Sequence, residues 1–164
     1  MGTVTKLSTG NFIWYQHRPP IINPRLEFFF VGTIWLFLQQ NPIGKVYPAP
    51  TDVLLSEIDV LQPDVLFFSK QKLDILTREN IQGAPDLVIE VLSPSTEKRD
   101  RTFKLKTYSK FGVQEYWMVN EAMATVEVWR RQGDTLVFHA VFDKTQTLTT
   151  PLLPGLEIVL EKIF

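Results

Sequence analysis

One short run constrains the fold of this chain more than any other: residues 87–92 read LVIEVL. The run is rich in β-branched residues and has the length of a buried β-strand. Glu90 lies in its middle, where an ionised carboxylate is costly unless it is paired or binds a metal. Glu90 is therefore a candidate functional residue. The alternative is a structural ion pair with an Arg or Lys, or a position at the edge of the sheet.

The segments around this strand alternate between helical and strand-like patterns. Residues 28–38, FFFVGTIWLFL, predict a buried helix, and a second helix is predicted between residues 93–96, which can cap it, and Gly112. Five further segments have strand-like patterns, at residues 46–55, 60–69, 113–119, 125–130 and 136–142. Turns are predicted at residues 56–59 and at Gly133, and a loop with a short helix at 70–83. This order predicts an α/β (α+β) domain with a mixed central β-sheet flanked by helices.

No segment predicts transfer into or across a membrane. The longest apolar run has 11 residues, whereas a membrane-spanning helix needs roughly 20. The N-terminus lacks a charged region followed by an apolar stretch and a cleavage site, so a signal peptide is not expected. We therefore expect a cytoplasmic protein without a membrane partner.

The composition narrows the chemistry. The chain has no cysteine and only two histidines, which excludes disulfides, thiolate metal sites, a cysteine nucleophile and a multi-histidine zinc site. Metal chemistry on carboxylates, with Mg²⁺ or Mn²⁺, stays open. With 17 basic and 18 acidic residues the formal net charge is -1, so any binding of nucleic acid must use a local patch.

Helical geometry directs one lysine toward the sheet. At about 100° per residue, Leu105, Tyr108 and Phe111 form an apolar stripe, with Lys104 near its middle and Asp100 one turn earlier on the same side. Lys104 is therefore aimed at a site on the sheet. The alternative is that Lys104 snorkels or pairs with Asp100, four residues before it.

Two carboxylates and this lysine make a specific chemical set. Asp64, in LQPDVLFF, lies beside an apolar run, as Glu90 does. Two such carboxylates can hold a divalent cation that activates water, and a lysine can stabilise charge that develops on a phosphate. The chain has no G-x-S-x-G, Walker A or Rossmann glycine motif. The set suits phosphodiester hydrolysis better than acyl transfer.

The stretches QPDVLFFS, GAPDLVIEVLSPSTEKRDRTFKLKTYSKFGVQEYWMVN, TVEVW and TPLLPGLEI closely resemble the Uma-two family of restriction-endonuclease-like proteins, over about residues 40–164. That family is assigned to the PD-(D/E)xK nuclease superfamily. The resemblance implies a restriction-endonuclease-like fold and a metal-dependent endonuclease that hydrolyses DNA, with Mg²⁺ or Mn²⁺ as cofactor. By the same resemblance Asp64 and Glu90 are the metal ligands, and both are catalytic together with Lys104.

One position departs from the superfamily pattern. The superfamily expects a lysine two residues after the (D/E) position, on the same face of the strand, and this chain has Leu92 there. The resemblance implies that the helix supplies the lysine instead, since Asp100, Lys104 and Tyr108 match the family there. Asp86 also matches a family position and is a second candidate, with Asp100 and Tyr108. It is either a strand-start or hydrogen-bonding residue, or a ligand if the strand bends.

The N-terminal part departs more widely. Residues 1–22 are predicted to be a divergent arm, and residues 23–164 the nuclease-like domain. Glu27 is a further candidate acid, either near the metal or on the surface. The family's usual N-terminal hairpin is absent, and the sheet edges it would cover favour a homodimer. These departures also keep a second function open, namely a catalytically impaired nuclease fold that acts as a structural or DNA-binding subunit.

The basic residues concentrate in one segment. Between residues 97 and 110 six basic and two acidic residues give a local net charge of +4. We expect the phosphate backbone of DNA to contact five of these basic residues: Lys98, Arg99, Arg101, Lys106 and Lys110.

A third interpretation, beside the nuclease and the impaired nuclease fold, is a globular domain whose buried acids serve only ion pairs.

Overall fold

The computed structural model of the protein describes residues 24–78 and 80–164. Within them the helices are α1 (Arg25–Gln40), α2 (Glu97–Arg99) and α3 (Leu105–Lys110), with a π-helical segment (Asp100–Lys104) between the last two and 3₁₀ turns at Lys70–Ile75 and Leu160–Lys162. The strands are β1 (Gly44–Pro48), β2 (Val53–Leu54), β3 (Val60–Leu61), β4 (Val65–Ser69), β5 (Ile81–Gln82), β6 (Leu87–Val91), β7 (Glu115–Asn120), β8 (Thr125–Gln132), β9 (Thr135–Asp143), β10 (Thr147–Leu148) and β11 (Ile158–Val159).

A mixed six-stranded sheet organises the molecule, in the order β1-β4-β6-β7-β8-β9. Only the central pair β6 and β7 is parallel, and the helical segment 97–110 makes the crossover between them. The other neighbours in this sheet are antiparallel. The predicted mixed α+β architecture is therefore confirmed.

Helix α1 covers one face of this sheet. Its buried residues recur every four positions at Leu26, Phe30, Ile34 and Leu38, which is the stripe of an amphipathic helix. They pack with Trp117 and other inward residues of the sheet in one core. The predicted helix at 28–38 is confirmed and extends further at both ends, but it is buried on one face only, because Phe28 and Leu36 are exposed.

A second core lies on the opposite face, under the helical segment 97–110 and a small sheet. That small sheet has the order β3-β2-β5. Tyr108, Tyr116 and Met118 are buried there together with Val53 and Leu61. With both faces covered, every residue of β6 is buried, including Glu90.

Two predicted strands are each divided in the structure. The prediction of a strand at 46–55 is wrong as one element, because it separates into β1 and β2 at Pro48 and Pro50, which lack the N–H that a ladder needs. The predicted strand at 60–69 likewise divides into β3 and β4 around Pro63. As a result β1 pairs with β4, and β2 pairs with β3 as a separate hairpin.

The turn predictions are confirmed. Residues 55–59 join β2 and β3, and Gly133 turns between β8 and β9 with a φ of 57°. Gly112 follows the helical segment with a φ of 89°, a left-handed conformation that suits glycine. The predicted arm at 1–22 lies outside the described residues. No described helix is long and apolar enough to cross a membrane.

Candidate active site

Glu90 is held on both of its carboxylate oxygens. The hydroxyl of Tyr108 donates to Oε1 at 2.8 Å, and Lys104 Nζ lies 2.8 Å from Oε2. The residue is 2% exposed, so these two groups replace the water that an exposed carboxylate would have. The strand therefore presents a buried and fully oriented carboxylate.

Lys104 joins Glu90 to a second buried acid. Its Nζ lies 2.9 Å from Asp100 Oδ1, and Asp100 is 1% exposed. That contact has the distance of an ion pair but not the angles of a hydrogen bond, so Asp100 Oδ1 has no hydrogen-bond donor. The ammonium thus lies between two carboxylates of different elements.

The π-helical segment improves the alignment of Asp100, Lys104 and Tyr108 toward the sheet. The N–H of Leu105 donates to the carbonyl of Asp100, a bond across five residues. In a regular α-helix, residues four apart drift by about 40° around the axis. A π-turn holds more residues per turn, which reverses that drift for one turn. The three side chains therefore lie more nearly in line toward Glu90 than the drift along a uniform α-helix would leave them.

Asp64 lies beside Glu90 at the start of β4. The antiparallel register places Val65 opposite Ile89, so the preceding and following residues, Asp64 and Glu90, are neighbours across the two strands. Asp64 Oδ2 accepts the backbone N–H of Val91 at 2.7 Å. The strand pairing therefore brings together two carboxylates that are 26 residues apart in the chain.

The cluster carries more negative than positive charge. Burial raises the pKa of Glu90 to about 8, against the opposing effect of Lys104 and with a further rise from Asp64. Burial also raises the pKa of Asp64. When ionised, the three acids Asp64, Glu90 and Asp100 outweigh the one lysine by two charges. A compact cluster of this kind favours protonation or a further cation.

Lys104 keeps its charge in this setting. Burial alone would lower the pKa of the ammonium, but Glu90 and Asp100 together raise the pKa above its ordinary value. A lysine in this state can orient and stabilise negative groups, whereas it is a poor proton acceptor. This argues for an electrostatic role.

The structure adds one residue that sequence reasoning missed. The hydroxyl of Tyr116 donates to the carbonyl of Asp100 at 3.2 Å, and its ring lies 5.1 Å from that of Tyr108. Burial raises the pKa of both phenols, so they stay neutral donors. The sequence of β7 could have indicated Tyr116, because alternate residues of a strand share one face, as Tyr116 and Met118 do here.

An open cavity of about 370 Å³ reaches Lys104 from outside. Its lining residues are Asp52, Val60, Leu61, Gln62, Arg99 and Lys104. A ligand in this cavity would therefore meet two cationic side chains and one carboxylate.

The comparison with known protein families decides the family. Residues 8–161 match the family model Uma2, described as "Putative restriction endonuclease". The chain belongs to the Uma2 family. The resemblance to Uma-two proteins is thus confirmed, and the family supports a nuclease-like function.

A solved structure has the same fold as this Uma2 protein. The crystal structure described as "a putative nuclease belonging to DUF820 from Anabaena variabilis ATCC 29413" superposes with a TM-score of 0.73. It is 21% identical in sequence, and the match covers 93% of this chain and 86% of that chain. The nuclease-like fold is therefore confirmed. No curated protein matches the chain.

The two further candidate acids of the Uma2 chain, Glu27 and Asp86, have different surroundings. Glu27, in the first turn of α1, is partly buried, and its pKa is raised by burial and then by Asp64. Asp86 instead accepts the N–H of Ser69 at 2.7 Å and pairs with Lys72 at 3.1 Å. The charge of Asp64 therefore raises the pKa of Glu27, whereas Asp86 stabilises the start of β6.

The basic residues of segment 97–110 are not equivalent. Arg101 is bound by Glu97 at 2.8 Å and by Glu127 at 2.6 Å, and Lys110 lies 3.5 Å from Asp59. Arg99 is exposed and lies over the ring of Phe103. Lys98 and Lys106 are exposed as well. The expected positive surface is therefore smaller than the local charge of the sequence indicates.

The donor set of the Uma2 site fits a divalent cation in its chemistry. It consists of carboxylate oxygens, which Mg²⁺ prefers, and Asp100 Oδ1 is a buried oxygen without a hydrogen-bond donor. Within residues 24–78 and 80–164, no three acidic or histidine side chains converge closely enough to hold a metal by themselves. A metal here would thus rely on two carboxylates and on water.

Proposed function

We propose that this Uma2 protein is a metal-dependent endonuclease that hydrolyses the phosphodiester bonds of DNA. The observation that carries the proposal is the buried cluster of Asp64, Glu90 and Lys104, in which Lys104 also lines an open cavity together with Arg99. Such a cluster would be a costly way to stabilise a core, because buried charges seldom repay their loss of hydration.

Asp64 and Glu90 would hold Mg²⁺ or Mn²⁺. Both oxygens of Glu90 already accept protein donors, but an ionised carboxylate has about four lone-pair positions and can bind a cation as well. A divalent cation held there would lower the pKa of a water ligand and stabilise charge on a phosphate.

The side chains around the carboxylates have distinct roles in the proposal. Lys104, which stays charged, stabilises negative charge as it develops on the phosphate and helps to orient the attacking water. Tyr108 donates a hydrogen bond to the Glu90 oxygen that Lys104 does not contact, and Asp100 forms an ion pair with Lys104. Glu27 is a further acid that responds to the charge of Asp64.

The proposal is tested by cleavage of supercoiled plasmid DNA with Mg²⁺, Mn²⁺, Ca²⁺ or a chelator. We expect nicking with Mg²⁺ or Mn²⁺ and its loss in Asp64→Asn, Glu90→Gln and Lys104→Ala. Glu157→Gln and Lys144→Ala alter exposed residues far along the chain and serve as matched controls. The proposal is overturned if the folded wild type cleaves no nucleic acid with either metal, or if the three site variants cleave as the controls do.

One observation favours the second function, a catalytically impaired subunit that binds DNA. Lys104 and Tyr108 satisfy both oxygens of Glu90 without any metal, and Arg101 is neutralised by two acids. Binding of DNA without cleavage by the folded protein, unaffected by Asp64→Asn, would favour this function over the first.

The partner in solution is proposed to be a second copy of the chain. Strand β9 is an edge of the main sheet in the part of the chain that is described, and it is nine residues long. Phe138 and Val141 are each about half exposed on it. A long apolar edge strand without lysine or proline is an open template for pairing with another strand.

A further inference from the structure

The backbone carbonyl of Asp100 has an unusual set of donors. In an α-helix this carbonyl would accept the N–H of the fourth following residue, Lys104. In the π-helical segment it accepts the N–H of Leu105, and that N–H also donates to the carbonyl of Thr102. The Asp100 carbonyl therefore shares a backbone donor with a second acceptor, at the point where the segment departs from an α-helix.

A side chain of the main sheet supplies a further donor to the same carbonyl. The hydroxyl of Tyr116 donates to it at 3.2 Å. Tyr116 is fully buried, so bulk water would not replace this donor if it were removed. Its backbone lies in the middle of the main sheet, where it pairs with Val88 of β6 and Trp129 of β8. The π-turn is therefore bonded to a central strand.

The ring of Tyr116 also contacts the last residue of the aligned set. The centre of the ring lies 5.1 Å from the centre of the Tyr108 ring, and Tyr108 in turn donates to Glu90. Tyr116 thus meets the helical segment at Asp100 and again at Tyr108, and Lys104 lies midway between these two residues in the chain. A side chain with these two contacts can set the direction of Lys104 without contacting it.

Two threonines of the helical segment also donate to carbonyls, but within the segment itself. Thr102 Oγ1 donates to the carbonyl of Lys98 at 2.6 Å, and Thr107 Oγ1 donates to the carbonyl of Phe103 at 2.8 Å. Each of these bonds reaches four residues back along the chain, so neither ties the segment to the sheet. Of these three hydroxyls, that of Tyr116 alone comes from the sheet.

We propose that Tyr116 is a positioning residue for Lys104, because its hydrogen bond to the Asp100 carbonyl keeps the segment in the π-helical register that directs the lysine to Glu90. The role in a reaction rests on the proposed nuclease function, whereas the geometry that Tyr116 maintains does not. Without the hydroxyl, the segment is free to return toward α-helical bonding, which would turn Lys104 around the helix axis and away from Glu90.

The test follows the Lys104 ammonium directly, without metal or DNA. The protein carries isotope-labelled lysine, because the protons of a buried and paired ammonium exchange with water slowly enough to give an NMR signal. Lys104→Arg identifies that signal by its loss. Tyr116→Phe removes one oxygen and keeps the ring beside Tyr108, so the fold is retained. Thr107→Val is the matched control, since it removes another buried hydroxyl that donates to a carbonyl of the same segment.

We expect the Lys104 signal at the same chemical shift in the wild type and in Thr107→Val. In Tyr116→Phe we expect a shifted signal whose protons exchange about tenfold faster, the factor that corresponds to the loss of one hydrogen bond. In plasmid cleavage, Tyr116→Phe should lower the maximal rate and leave the Mg²⁺ concentration for half-maximal cleavage unchanged. Urea unfolding of both variants shows whether lower stability alone accounts for the change in the signal.

An unchanged Lys104 signal in Tyr116→Phe would overturn the proposal, even if that variant is less stable. The proposal also fails if Thr107→Val changes the signal equally, because the effect would then belong to any buried hydroxyl of the segment. A wild type without a slowly exchanging Lys104 signal overturns it without any variant. A folded wild type that gives the signal but cleaves no nucleic acid with either metal would refute the nuclease function and leave the positioning of Lys104 intact.

Discussion

Lys104 Nζ lies 2.8 Å from Glu90 Oε2, although the lysine comes from a helix and the glutamate from the centre of a strand. The strand position two residues after Glu90 is Leu92, which packs against the second core. Because the π-helical segment directs Lys104 to the same carboxylate, the charge that a strand lysine would bring is supplied from another element. The two buried charges depend on each other, and this dependence can be measured.

Lys104→Met is expected to destabilise the protein by about 3–5 kcal/mol, because it leaves buried acids without their cation. The double variant Lys104→Met with Glu90→Gln should recover a large part of that loss, since it removes both charges, while cleavage stays absent. Urea unfolding gives the stabilities and plasmid nicking gives the activity. If the double variant is as unstable as the sum of the two single variants, the two side chains are not coupled.

The stability of the metal-free protein should decrease as the pH rises. The pKa of Glu90 increases from 4.5 to about 8 on folding, so the folded state binds this proton more tightly than the unfolded chain. The resulting stability is fully present below pH 4.5 and is lost as the pH rises through about 8. Asp64 acts in the same direction, whereas the pKa of Lys104, raised from 10.5, affects only more alkaline solutions.

Urea titrations at about pH 5 and about pH 8 measure this dependence. Added Mg²⁺ should increase the stability more at the higher pH, because a metal competes with protons for the carboxylates. Glu90→Gln should show a flatter profile. A wild type whose stability rises between these two pH values would contradict the assignment.

Tyr108→Phe is expected to cost about 1–3 kcal/mol, because Glu90 Oε1 loses its buried donor. Without this hydroxyl Glu90 is also less firmly oriented, so half-maximal cleavage should need more Mg²⁺. Titration of the cleavage rate with Mg²⁺ separates this effect from a general loss of stability. Tyr47→Phe, in β1, is the control, and an equal shift in the two variants would argue against a positioning role for Tyr108.

Arg99 and Arg101 should respond differently to substitution. Arg99→Ala removes an exposed cation at the cavity, so it should weaken DNA binding and make the dependence of log K on log salt less steep by about one unit. Arg101→Ala breaks the pairs with Glu97 and Glu127, so it should reduce stability and leave that slope unchanged. Fluorescence anisotropy over a range of salt concentrations measures both slopes. The assignment of the two arginines is reversed if only Arg101→Ala changes the slope.

A lysine introduced on β9 should prevent self-association. Phe138→Lys places a charge on the exposed edge strand, and charges on edge strands oppose pairing between sheets. We expect a dimer for the wild type and a monomer for this variant in analytical ultracentrifugation. Met123→Lys is the control. A monomeric wild type at micromolar concentration would refute pairing through β9.

Much of the candidate site could be predicted from the sequence, because a buried strand, a helix face and a turn each depend on residues that are close together in the chain. The β-branched run around Glu90 predicts a buried strand, and the spacing of Asp100, Lys104 and Tyr108 predicts one helix face toward it. Gly112 and Gly133 mark turns because they adopt positive φ values that other residues rarely adopt.

Tertiary packing decided the features that depend on distant partners. In the sequence, Arg101 belongs to a basic segment that predicts a positive surface. In the fold, β8 places Glu127 2.6 Å from Arg101, so its charge is paired. Glu27 and Asp64 are 37 positions apart, and only the packing of α1 on the sheet lets one raise the pKa of the other. The sequence by itself determined that β6 is buried and that Asp100, Lys104 and Tyr108 share one face, since both follow from local patterns of residues. Which charges neutralise each other was decided by the fold, because the Coulomb energy depends on distances in space that no local pattern encodes.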